Sequence, residues 1–355
     1  MAKRSRFSGR SILLSLLVFL IALSVAVILL RENLSSILQT LYKTNYYLLP
    51  AALLAYIFGI LVWSFRWHIT LSTVGHSIKV RTIFVIIFGG LFINNLTPFT
   101  YAGGDPVTRT YILRKTQNVP YSSSFATILT EFVLDIPVYF TLLVLGLLLS
   151  TQEAVVRYLP LSVAIWVGFT IGWGLFFTRI LSRSKGAGRI AGFVFRIGRF
   201  FRRRVSKPKI ERDINRFFFS SGRIIRNKKI VAYVTSLTAI IWVMAIIRLY
   251  VLFLALGYSP PLHMVLLAVT LPAIAGMIPI LPGGLGTVDL AIVSIFLGFG
   301  TPLEIAISAT LLERSITLVF STLAGAGAVS YLGVKYRNVL NKKQKSDNKK
   351  SAFED

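Results

Sequence analysis

Cysteine is absent from the 355 residues, which excludes disulfides, thiolate nucleophiles and cysteine-ligated metals and leaves the redox compartment open. Histidine is nearly absent too. His68, His76 and His263 are scattered and share no ligand spacing, so neither metal nor cofactor is expected. No phosphate-binding GxxxxGK[ST] loop occurs, which argues against direct coupling to ATP. Acidic residues are few, 13 Asp and Glu against 39 Lys and Arg, and charged residues of both signs make up only 15% of the chain.

Apolar residues fill that space: 55% of the chain is hydrophobic, and mean hydropathy is +0.71. Repeated apolar runs of about 20 residues, enough to cross roughly 30 Å of hydrocarbon, predict an all-α polytopic membrane protein and exclude a single soluble core. A net charge of +26 would suggest nucleic acid for a soluble protein. Here the positive-inside bias and anionic headgroups account for it, so membrane lipids are the expected partners and nucleic acid is not.

The charges orient the chain. Lys3, Arg4, Arg6 and Arg10 place the N-terminus in the cytoplasm, and Ser11–Leu30 reads as an uncleaved first span. A second span near 47–67 returns to Arg66, Lys79 and Arg81, taken as inside markers. Further spans are predicted at 123–150, 159–179, 230–257 and 303–333. Residues 181–229 carry sixteen Lys/Arg against Glu211 and Asp213 and are assigned to the cytoplasm, as is the basic, disordered tail 336–355. This gives a multi-pass protein of the cell membrane with both termini inside, one integral domain over 1–335. Trp63, Trp67 and Trp173 are expected to be interfacial anchors.

Counting crossings leaves two segments that enter and leave on one face. Residues 82–113 do so from the cytoplasm, broken at Pro98, Gly103, Gly104 and Pro106; residues 263–300 do so from outside, broken at Pro279, Pro282, Gly283, Gly284 and Gly286. The expected architecture is six full spans plus two opposed re-entrant hairpins, with half one over about 11–150 and half two over about 159–333 in inverted orientation. Discontinuous helices at the meeting point of inverted repeats are a transporter pattern.

Glu131 and Asp135 are spaced to share one helix face near mid-membrane, and Glu313 reaches a similar depth from the other side. Intramembrane acids are functional candidates by default; the alternative is structural pairing, such as Glu313 with Arg314 or Glu131 with Arg109. Glycine-rich breaks expose backbone N–H groups that suit an anion such as phosphate, with Arg109 and Arg314 nearby in sequence; the alternative is a kink for tight packing. In the basic loop, Ile190, Phe193, Val194, Ile197 and Phe201, then Ile210, Ile214, Phe217 and Ile224, recur at helical spacing among arginines. They fit a helix on an anionic leaflet or a purely topogenic loop, and a cytosolic partner stays open.

The segments NLTPFTYAGGDPVTR from Asn95 to Arg109, ATILTEFVLD ending in Glu131 and Asp135, and LPGGLGTVD through Gly283 to Asp289 followed by ATLLER resemble the lysylphosphatidylglycerol synthase transmembrane region, a flippase-like family. The resemblance covers about 10–335, and Asp105 stands where the family usually has Glu. It implies translocation of a lipid or lipid-linked headgroup between leaflets rather than an enzyme. The aminoacyl-transferase domain of full-length synthases is not expected after the last span, so their reaction is not carried over. On this reading the backbone N–H groups of Gly103, Gly104, Gly283, Gly284 and Gly286, with Arg109 and Arg314, hold a phosphate headgroup, and Asn95, Asp105 and Asp289 belong to the same substrate-binding set. Glu131, Asp135 and Glu313 bind a cationic part of it or carry a proton. A membrane-embedded transferase using a polyprenyl-phosphate donor and a small-solute secondary transporter are the alternatives, and a homo-oligomer is left open.

Overall fold

The computed structural model describes residues 33–97, 104–150, 159–182, 206–275 and 282–334, and it is helical throughout them. In order come α1 (Leu34–Tyr42), α2 (Leu49–Thr73), α3 (Val80–Leu96), α4 (Gly104–Gln117), α5 (Tyr121–Leu148), α6 (Leu159–Ser182), α7 (Lys207–Ile225), α8 (Lys228–Ala255), α9 (Leu262–Ala275), α10 (Thr287–Gly298) and α11. Helix α11 begins as Leu303–Arg314, widens into a π-helical turn over Ser315–Phe320, and continues to Val334.

Local chemistry sets the helix starts. The Asn227 side chain accepts the backbone N–H groups of Lys229 and Ile230, satisfying two orphan donors at the head of α8. Pro120 and Pro302 precede α5 and α11, where a missing N–H and a fixed φ do no harm. Pro137 lies inside α5 and cannot bond back to the Val133 carbonyl. That carbonyl accepts the Trp173 indole N–H from α6 at 2.9 Å instead. Trp173 thus satisfies the carbonyl that Pro137 leaves free.

Helices α2 and α8 form the most extensive helix–helix contact. They run antiparallel: the Asn45 N–H meets the Ala255 carbonyl at 2.7 Å, Tyr56 lies under Arg248, Gly59 faces Met244, and Arg66 reaches Thr238. Helices α2 and α8, one from each expected half, thus face each other in opposite directions. Helix α5 then packs on α9, and α11 on α3. Gly146 of α5 sits against Leu266 and Leu267 of α9, and Gly325 of α11 sits against Phe88 and Phe92 of α3. One apolar core joins α2, α3, α5 and α11 around Trp67, Ile83, Ile87 and Ile316; another joins α8, α9, α10 and α11 around Phe253, Val265 and Phe296.

Among the described residues, five helices are long and apolar enough to cross a membrane: Tyr46–Thr73, Tyr121–Leu148, Pro160–Phe177, Lys228–Ala255 and Leu303–Val334. They match five of the six expected spans. The sixth, 11–30, lies outside the described residues, as do Ile190–Phe201, Gly103 and the tail. The two expected hairpins are helix pairs, α3 with α4 and α9 with α10, each packed arm against arm.

The amphipathic pattern over 210–224 is helical, but its apolar face is not left for lipid. As α7 it buries Ile210, Phe218 and Ile224 and packs against α5, α6 and α8, with the Phe217 ring 6.3 Å from that of Phe125. Arg212, Arg216 and Arg223 stay exposed on the opposite side.

Candidate functional site

The charged side chains of the interior form a connected set rather than isolated pairs. Arg66, near the end of α2, is buried at 4% exposure and was expected to mark the cytoplasmic face. Instead its guanidinium holds both acids of α5: Nη2 donates to Glu131 Oε2 at 3.1 Å, and Nη1 donates to Asp135. The spacing of Glu131 and Asp135, one turn apart, is what lets one arginine reach both. Thr70 donates to the other Glu131 oxygen at 2.8 Å. Thr238, from α8 in the other half, accepts from Arg66 Nη1 at 2.7 Å and donates to Asp135 Oδ1 at 2.9 Å. Burying these ions costs several kcal/mol each, which the paired geometry offsets; Arg66 Nε alone of the guanidinium nitrogens has no hydrogen-bond partner among the described residues.

Arg109 is more deeply buried still, at 1% exposure. It pairs with Asp105 one turn earlier on α4 at 2.6 Å and lies between the Trp63 and Trp67 rings, 4.8 Å from each centroid. Desolvated cation–π contacts of this kind are worth about 2 kcal/mol. Trp67 is fully buried and donates to Thr127, so it does not serve as an interfacial anchor. A Cβ at Gly90 of α3 would strike Asp105 and the Arg109 stem, so α3 closes directly over the pair. Asn94 Oδ1, Asp105 Oδ1 and two Arg109 nitrogens, Nε and Nη1, have no hydrogen-bond partner among the described residues, leaving polar capacity beside the tip of this hairpin.

The second half repeats the design. Arg248 of α8 holds Glu313 of α11 through two bonds, 2.9 and 2.6 Å, and its guanidinium lies 5.3 Å over the Tyr56 ring of α2. Glu131 and Glu313 each stand eleven residues beyond the proline that precedes their helix, and Thr238 and Tyr56 each stand ten before the arginine of theirs. Each arginine is therefore bonded to an acid in its own half and touched by the facing helix of the other half.

At the tip of the second hairpin, Pro282–Gly284 form a short turn in which Gly283, Gly284 and Gly286 all take positive φ, a conformation that costs other residues about 1–2 kcal/mol. Asp289, in the first turn of α10, accepts the Gly286 N–H at 2.8 Å. Arg314 donates to Asp289 at 2.5 Å and to the Gly283 and Gly284 carbonyls at 3.4 and 3.3 Å. A carboxylate thus occupies the positive end of α10, where a ligand anion was expected. The turn reaches the other hairpin: a Cβ at Gly283 would lie 2.7 Å from Leu318 and 3.3 Å from the Asn95 carbonyl. The Asn95 amide in turn donates to Ser321 at 2.8 Å and Thr322 at 2.9 Å, just past the π-helical turn.

The structure therefore brings Asn95, Gly283, Gly284 and Arg314 to one junction between hairpins. Glu131 with Asp135 and Glu313 lie in two flanking ion-pair clusters, and Gly104 begins α4 against Asn94. The structural pairs anticipated from sequence are replaced: Glu131 binds Arg66 rather than Arg109, and Glu313 binds Arg248 rather than Arg314. Arg66 and Arg248 are the two residues that sequence reasoning missed. The only signal for them was a basic residue on an otherwise apolar helix, and at the cytoplasmic end of a span Arg66 read as topogenic. Among the described residues no group of His, Asp and Glu is arranged to hold a metal.

A UPF0104 membrane protein of Methanothermobacter thermautotrophicus is 29% identical over 296 residues, 81% of this chain and 86% of that protein. A UPF0104 membrane protein of Methanocaldococcus jannaschii is 28% identical over 321 residues, 89% and 93% of the two chains. One of Pyrococcus horikoshii is 28% identical over 285 residues, 77% and 84%. No solved structure matches the chain. The family model of the lysylphosphatidylglycerol synthase TM region matches residues 12–325, nearly the whole sequence, and the chain belongs to that family of integral membrane proteins.

Proposed function

We propose that the protein moves a phospholipid or lipid-linked headgroup between leaflets, along a polar path where two re-entrant hairpins, α3–α4 and α9–α10, approach from opposite faces. The observation that carries this reading is the junction of the hairpins. The glycine turn at Gly283 lies against the Asn95 carbonyl and the π-helical turn of α11. Broken backbone and buried ions are tolerated at membrane depth mainly where they line a cavity or a path for a polar group.

The headgroup chemistry follows from the tip. Asp289 and the Gly286 N–H already form a carboxylate-to-helix-terminus contact clamped by Arg314. A phosphate is the natural competitor for both partners, because it suits an arginine fork and a helix N-terminus equally well. In this mechanism the phosphate displaces Asp289, draws Arg314 with it and unlatches the turn. Arg109, sunk beneath Gly90, holds the first hairpin together rather than meeting the phosphate.

The test is lipid movement in liposomes by purified protein. Glu131→Gln and Glu313→Gln each abolish movement while the protein stays folded. Unimpaired transport in both variants rejects the role of these acids. Thermal stabilisation by soluble ions with none by phosphate-bearing lipids favours a small-solute transporter instead.

A further inference from the structure

The two halves match in their buried arginine–glutamate pairs but differ in charge. In half two, Arg248 meets Glu313 and Arg314 meets Asp289, so cations and anions balance. In half one, Arg109 meets Asp105, but Arg66 alone faces both Glu131 and Asp135. The position that breaks the symmetry is four residues past each glutamate. In half two it is Thr317, whose hydroxyl returns to the Glu313 carbonyl; in half one it is Asp135. One surplus negative charge is thereby enclosed among α2, α5 and α8. Like charges sharing one site in low dielectric do not both stay ionised unless something compensates them.

The coordination selects what compensates. Glu131 Oε1 accepts from Thr70 and Oε2 from Arg66, while Asp135 Oδ1 accepts from Arg66 and Thr238 and Oδ2 from Arg66. All four oxygens are turned toward N–H or O–H donors. A metal cation needs several oxygens turned toward itself, and Arg66 already stands where it would sit. A proton needs a single lone pair. Among the described residues, the other charged group that acts on this cluster is Arg109 of α4, on Glu131. On the remaining faces α8 presents Thr238 and Trp242, α6 presents Trp173 to Val133, and α7 presents Ser220 to Ser123, with Tyr139 one turn beyond Asp135. None of these adds a second cation.

We infer that the Arg66–Glu131–Asp135 cluster binds one exchangeable proton, taken up and released at Asp135, and that this proton couples to the lipid movement proposed above. Asp135 is the exchanging group because its side chain is 20% exposed, against 2% for Glu131. Ionised, Asp135 ties α5 to α8 of the other half through Arg66 and Thr238. Protonated, it gives up its ionic bond, Arg66 is left with Glu131 in a balanced pair, and the tie between halves loosens. Helix α5 carries the change onward, since its Gly146 end packs on the opposite hairpin at α9.

The test is infrared spectroscopy of the purified full chain in liposomes of phosphatidylcholine, recorded as the pH is stepped. The wild type shows a protonated-carboxyl C=O band that is lost in Asp135→Asn, retained in Glu313→Gln, and restored in position-shifted form by Asp135→Glu. Circular dichroism of each variant verifies the fold, so loss of the band is not loss of the protein. Absence of the band in folded wild type, its survival in both Asp135→Asn and Glu131→Gln, or its removal by sodium at constant pH overturns the proposal. In a second arm, lipid movement by the wild type responds to an imposed pH gradient and that of Asp135→Asn does not. A titrating band without lipid movement rejects the transport reading alone; lipid movement without the band rejects the proton alone.

Discussion

Gly325 and Gly327 stand two residues apart on α11 and should respond oppositely to alanine. A Cβ at Gly327 meets nothing within 4 Å, whereas one at Gly325 would collide with the Phe88 carbonyl oxygen and lie 2.7 Å from Phe92 Cβ. Replacing glycine inside a helix gains roughly 0.5–1 kcal/mol from the reduced entropy of the unfolded chain, and that gain is common to both sites. Crowding a packed interface costs about 1–3 kcal/mol, and a backbone oxygen has no rotamer by which to retreat. The difference between the variants is therefore the crowding cost alone, about 1–3 kcal/mol, with Gly327→Ala more stable than wild type and Gly325→Ala less. Thermal unfolding followed by tryptophan fluorescence, all proteins in one detergent, measures it. Equal shifts in the two variants would refute the close crossing of α3 and α11, and with it the packing of the second half's long helix on the first half's hairpin.

Other outcomes follow from the same geometry. Arg66→Met strands two carboxylates and should cost about 3–5 kcal/mol, whereas Asp135→Asn leaves a balanced Arg66–Glu131 pair and should cost far less; a melt that ranks them the other way rejects the pairing. His76, in the turn between α2 and α3, has its imidazole held below the ordinary value of 6.5, first by partial burial and second by Arg216 of α7. The folded protein then binds fewer protons than the unfolded chain just below that pH, so stability falls as pH drops through the window beneath 6.5. Arg216→Gln should flatten that loss, and an unchanged melting profile between about pH 5 and 8 would remove the contact from the account. The loss of lipid movement in Glu131→Gln and Glu313→Gln and the infrared band of Asp135 complete the set.

Much of the scaffold could be read from apolar run length alone. Five spans fell where apolar runs and flanking charge placed them. The acids Glu131, Asp135 and Glu313 stood out because carboxylates are rare in such surroundings. Their partners did not. An arginine near the end of a span is equally consistent with a headgroup-facing anchor, so Arg66 was read by position, and Arg248 was hidden among apolar neighbours in the middle of its run. Sequence neighbours were a poor guide because ion pairs here join helices 65 residues apart, as with Glu131 to Arg66 and Glu313 to Arg248. Trp63 and Trp67 were assigned to the interface by residue type, but a buried cation between them gives those rings another use. The amphipathic face of α7 carried no label saying whether protein or lipid would cover it, and packing against α5, α6 and α8 decided that.

The interruptions in the two long helices have a mechanical consequence. Beyond Glu131 the hydrogen-bond ladder of α5 is cut at Pro137, and beyond Glu313 that of α11 is slackened by the turn at Ser315–Phe320. Each helix behaves as two stiff rods joined by a compliant segment, not as a single lever. The rod bearing the glutamate is anchored to its arginine, and the rod beyond it is anchored to the opposite half's hairpin. A shift at one anchor therefore reaches the other as a change of angle at the joint and not as a translation of the whole helix.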